Sequence, residues 1–135
     1  MFTMLALLKP GAPDVPLDTV IEKVQALFGG DSDFRWEYET LPFQPSRNII
    51  LRWIGWSARL FCEADESVRH DAVEIARILG KSAPAGVADS TRRVRAVFHD
   101  DPDELHIDDM VEIMSMLEKI EGAVVFDPQQ NKLMD

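Results

Sequence analysis

The chain has 135 residues, 46% of them hydrophobic and 28% charged, with a net charge of −10 at neutral pH. That length suits one domain around a single core, and the apolar content is too high for a disordered chain. The acidic balance disfavours polyanionic partners, so neither nucleic acid nor a membrane surface is expected to bind.

The excess charge is unevenly spread. Residues 99–135 carry 11 acidic and 2 basic side chains, whereas residues 1–98 carry 13 and 12. The apolar run near the start has no basic stretch before it, and Lys9-Pro10-Gly11 follows too soon for a signal peptide or a membrane span. A single cysteine, Cys62, leaves no internal disulfide framework, and a reducing cytoplasmic setting is expected.

Met4 to Leu8 reads as a buried strand, closed by Lys9, Pro10 and Gly11. Leu17, Val20, Ile21, Val24, Leu27 and Phe28 recur at helical spacing, with Pro16 near the start and Gly29-Gly30 as an expected left-handed stop. Phe34 to Thr40 alternates with period two, the pattern of a half-buried strand. Two β-rich runs, Ile49 to Ile54 and Ser57 to Glu63, flank Gly55-Trp56 and predict a hairpin. Asp65 or Ser67 caps a second helix that ends at Gly80. Lys81 to Asp89 is the expected least structured stretch, and Arg93 to His99 alternates as another strand.

The last third predicts a helix capped by Asp101-Pro102-Asp103-Glu104, a strand from Gly122, and a turn at Asp127-Pro128. On that helix Ile107, Met110, Val111, Met114, Leu117 and Ile120 form the expected core stripe, with Ile113 and Met116 outside its centre. The order is β-α-β-β-β-α-β-α-β. It implies an α+β class: one domain over residues 1–135, with an antiparallel or mixed sheet and two to three helices mainly on one face.

No motif names a reaction. The acidic segment has neither the alternate oxygen ligands nor the central glycine of a calcium loop, and three histidines with one cysteine make no zinc framework. Cys62 and His70 are the nearest thiol–imidazole pair, without a visible orienting group. Arg47, Arg52 and Arg59 interleave with Trp53 and Trp56 in the manner of a stacking platform, but acidic residues follow at once. No phosphate loop or nucleophile elbow occurs, and no cofactor or bound metal is expected.

Four stretches together carry a family likeness: Trp56 to Leu60 (WSARL), Asp71 to Ala76 (DAVEIA), His99 to Asp103 (HDDPD) and Gly122 to Gln129 (GAVVFDPQ). They resemble small uncharacterised bacterial cytoplasmic α+β proteins, some of which are immunity proteins encoded beside a toxin. The resemblance covers about the last 80 residues and brings no catalytic residue with it. What it implies is an inhibitor role in a toxin–antitoxin pair.

Composition and resemblance converge on a non-enzymatic, acidic protein-binding domain with a basic partner, of which a cognate toxin is the kind the resemblance implies. The expected contact residues are Asp100, Asp101, Asp103, Glu104, Asp108, Asp109 and Glu112, with Trp53 and Trp56 as apolar anchors. Two other expectations stand beside it: a metal-dependent or metal-regulated enzyme using His99, His106 and their neighbouring carboxylates, and a structural homodimer.

Overall fold

The computed structural model describes residues 1–134, which form one seven-stranded sheet and three α-helices. In chain order these are β1 (Phe2–Leu8), α1 (Leu17–Phe28), β2 (Arg35–Glu39), β3 (Asn48–Trp53), β4 (Trp56–Glu63) and α2 (Glu66–Leu79), then β5 (Arg92–Phe98), α3 (Ile107–Glu118), β6 (Ala123–Asp127) and β7 (Lys132–Leu133). The sheet order is β2-β3-β4-β5-β1-β6-β7, and every neighbouring pair is antiparallel. The class is α+β. The two-residue β7 and two short 3-10 helices, Gly80–Ser82 and Val87–Asp89, add to the expected element order.

Strand alternation sorts the apolar residues into two layers. One row runs Met4, Ala96, Leu60, Ile49 straight across four strands. Onto that face pack Val20, Val24 and Phe28 of α1, with Ile113, Met116 and Leu117 of α3. The opposite face buries Leu5, Leu7, Val124 and Phe126 beneath Ile75 of α2. Helices α1 and α3 therefore share one side of the sheet, and α2 takes part of the other.

Where no helix covers that second face, paired charges do. Arg52 reaches Glu37 at 3.0 Å, Arg59 reaches Glu39 at 2.8 Å, and Glu63 accepts from Arg93 at 2.8 Å and Arg95 at 2.9 Å. Arg93 also reaches Asp71 of α2 at 2.7 Å.

Turn chemistry explains several joints. β3 and β4 form the expected hairpin, but its turn is Ile54-Gly55, with Trp53 facing Trp56 across the closing pair. Gly122 ends the α3–β6 connection at φ +80°, and a Cβ there would lie 2.5 Å from that of Ala12. Both facts call for glycine. The left-handed stop at Gly29 does not form. Its φ is −60°, and its N–H donates to Gln25 O as the helix would continue. The Lys81–Asp89 stretch is more ordered than its small residues imply, because Val87 is buried with Leu5 and Leu7.

The largest departure is at α3, which starts at Ile107 and not beside Asp101-Pro102. A helix cap serves N–H groups two or three residues on. Asp101 instead accepts from Leu105 N at 3.2 Å and His106 N at 2.8 Å, closing a turn in which Glu104 has φ +55°. The buried face also differs from the expected stripe. Ile113 and Met116 are core, while Ile107 and Val111 are 44% and 47% exposed. Among the described residues, no helix is long and apolar enough to cross a membrane.

Candidate partner-binding surface

The acidic segment lies between the end of β5 and α3, at the end of the sheet where the β3–β4 hairpin turns. Its position is set from below by aromatic packing. His106 lies flat on Trp56, with centroids 4.9 Å apart and planes within 9°, and Trp56 stacks on Phe98 at 6.3 Å. The Trp56 indole N–H donates to His99 O at 2.9 Å, tying the hairpin to the chain leaving β5. Trp53 meets Phe28 edge-on at 5.0 Å and Phe34 at 5.1 Å.

That packing removes Trp53 and Trp56 from the surface. They are 7% and 4% exposed, so their rings belong to the core and neither is a free anchor for a partner. The cause is strand parity. Both face α1 and α3, whereas Arg52 and Arg59 project from the opposite face of the sheet. The same parity breaks up the basic–aromatic platform suggested by their spacing.

The seven expected carboxylates divide into two groups. Asp100 takes the Met1 ammonium at 2.8 Å, and that hydrogen bond holds its carboxyl below the usual range. Asp101 closes the turn described above. Asp109 lies 3.0 Å from His106 Nδ1 and so holds the stacked imidazole in place. These three have structural duties. Asp103, Glu104, Asp108 and Glu112 are exposed and, among the described residues, have no ion-pair partner within 4.0 Å.

Sequence reasoning missed the apolar companions of those four. Leu105 is 75% exposed, and Ile107 and Val111 follow on the outward side of α3. Leu105 has no repeating pattern to mark it, and the other two share the spacing of the expected core stripe on a helix that is apolar on more than one side. Together they set branched apolar side chains among unpaired carboxylates.

The remaining candidates do not assemble a reaction centre. His99 Nε2 accepts from Arg59 Nη1 at 3.0 Å, while His106 engages Asp109 and Trp56, so the two rings serve different neighbours. Among the described residues, no three His, Cys, Asp or Glu side chains group as cation ligands. Cys62 and His70 are separated by the sheet: Cys62 packs on the α1–α3 side, and His70 is exposed on α2. Burial pushes the Cys62 thiol up to about 11, with the Glu63 charge adding to it, opposite to what a nucleophile needs.

Compared with known proteins, the chain matches no protein-family model, no curated protein and no solved structure.

Proposed function

We propose that this chain is a non-enzymatic, acidic protein-binding domain that takes a basic partner on the Asp103–Glu112 surface, as an inhibitor of the immunity or antitoxin kind. The observation that carries this reading is the set of four unpaired carboxylates, Asp103, Glu104, Asp108 and Glu112, around exposed Leu105, Ile107 and Val111. Unpaired charge speeds association with a complementary surface, and apolar side chains at its centre slow dissociation. The immunity role comes from the resemblance of the Gly122–Gln129 stretch and its companions. Trp53 and Trp56 play no direct part. They hold the segment in place from beneath.

The test is co-expression with the toxic protein encoded beside this chain, scored by growth. Wild-type protein should rescue growth, and a variant with Asp103, Glu104, Asp108 and Glu112 changed to their amides should not. The purified pair should associate more slowly in high salt, and the amide variant should lose most of that salt dependence. Rescue by the amide variant at wild-type level would remove this surface from the mechanism.

A further inference from the structure

We infer that the protein forms a two-fold dimer in which β2 pairs with β2 of a second copy, in the register centred on Glu37. β2 is an edge of the sheet: β3 lies on one side and, among the described residues, no strand lies on the other. The outward N–H and C=O groups of an edge strand are a template for another strand. β2 contains no proline to block such pairing and no glycine to weaken it, and its three charged residues are of both signs.

The five residues of β2, Arg35-Trp36-Glu37-Tyr38-Glu39, complement themselves when reversed. Antiparallel pairing about Glu37 sets Arg35 opposite Glu39 of the second copy twice, and Trp36 opposite Tyr38 twice. The charges lie on one face and the aromatics on the other, so both faces are satisfied together. Sliding by two residues either way leaves only three residues of each strand paired, and one of those two registers opposes Glu37 with Glu39. The single like-charge contact, Glu37 with Glu37, is offset by Arg52, whose Nε lies 3.0 Å from the carboxylate in each copy.

A second observation lies just beyond the strand. Gln44 N donates to Leu41 O across a turn that places Phe43 at φ +65° and fully exposed. A left-handed backbone and an exposed ring are two costs with no return in the monomer. Antiparallel pairing lays the loop after Glu39 beside the second copy's entry into β2, giving that ring a surface to cover. The rotation also closes the assembly, whereas joining β2 to the far edge of the sheet would build an open filament.

Sedimentation equilibrium from low to high micromolar protein should give a monomer–dimer equilibrium. Arg35→Glu should raise the dissociation constant by about tenfold or more, because two attractive cross-strand pairs become repulsive. Glu37→Gln should lower it by roughly threefold, since the central repulsion goes. Register is read separately by oxidation in a Cys62→Ala background. Glu37→Cys should cross-link readily, because the two positions face each other on the axis with Cα atoms about 4.5–5.5 Å apart. Arg35→Cys faces a different residue and should not. A monomer at every concentration, a dimer indifferent to both charge variants, or cross-linking at Arg35→Cys equal to that at Glu37→Cys would each overturn the proposal.

Discussion

The side-chain amide of Gln129 takes both backbone groups of Thr3: Thr3 N donates to its Oε1 at 2.8 Å, and its Nε2 donates to Thr3 O at 2.7 Å. Gln129 thus stands in for one more residue of β6, extending the pairing of β1 past the point where β6 ends at Asp127. The Asp127 carboxylate prepares this geometry. It accepts from Gln129 N and from the Gln129 amide, and Pro128 between them needs no donor partner. The Asp-Pro-Gln turn is a clasp on the first strand.

Gln129→Ala should therefore destabilise the fold by about 1–2 kcal/mol, the loss of three side-chain hydrogen bonds at an exposed site. Urea denaturation measures it. Hydrogen exchange at the Thr3 amide should quicken at the same time, while amides in β4 keep their protection. An unchanged Thr3 exchange rate would mean that the clasp is not closed in solution.

The Glu63 cluster makes a pH prediction. Burial alone would raise the Glu63 carboxyl, but hydrogen bonds from Arg95 and Arg93 outweigh it and hold the group below its ordinary value of 4.5. A lowered native pKa contributes stability that is complete above 4.5 and is lost as pH falls through the native value. Glu39, held by Arg59 and Asn48 despite its own burial, acts in the same direction. Stability should thus decline as the medium is acidified below about 4.5. Glu63→Gln should cost about 3 kcal/mol at neutral pH, because Arg93 loses one of its two carboxylates while remaining buried. It should also flatten the acid limb of a stability–pH curve from urea melts. A curve parallel to the wild type would assign the acid sensitivity elsewhere.

Within the acidic segment, structural and exposed carboxylates should separate cleanly. Asp101→Ala removes the acceptor for two backbone N–H groups and should cost about 1 kcal/mol, the range found for capping carboxylates. Asp103→Asn, at an exposed and unpaired position, should stay within about 0.5 kcal/mol of the wild type. Paired thermal melts decide it. Equal losses would mean that the turn does not depend on Asp101.

Much of the architecture is legible in local pattern. Period-two alternation marks β2 and β5, helical spacing marks α1 and α2, and each of the first six strands is placed within a few residues of its observed ends. These are properties of neighbouring side chains, because a strand or helix face is defined by residues two, three or four apart. The concentration of carboxylates after His99 is likewise plain from the chain.

Which of those carboxylates remain free is a tertiary matter. Asp101 and Asp103 are alike in sequence, yet one closes a turn and the other has no partner. Pro102 and Glu104 fit a cap locally, yet Asp101 closes a turn with Leu105 and His106, His106 stacks on Trp56, and α3 begins at Ile107. Which apolar side of α3 meets the sheet is set by packing as well, which buries Ile113 and Met116 and leaves Val111 exposed.

The amino-acid sequence by itself determined the class of fold, the order of its elements and the place where negative charge gathers. Only the tertiary structure decided which face each helix presents, which acids are occupied and that β2 is left as an edge. Charge and periodicity are carried by the chain. Exposure and partnership depend on contacts between residues far apart in it, such as His106 with Trp56 and Gln129 with Thr3.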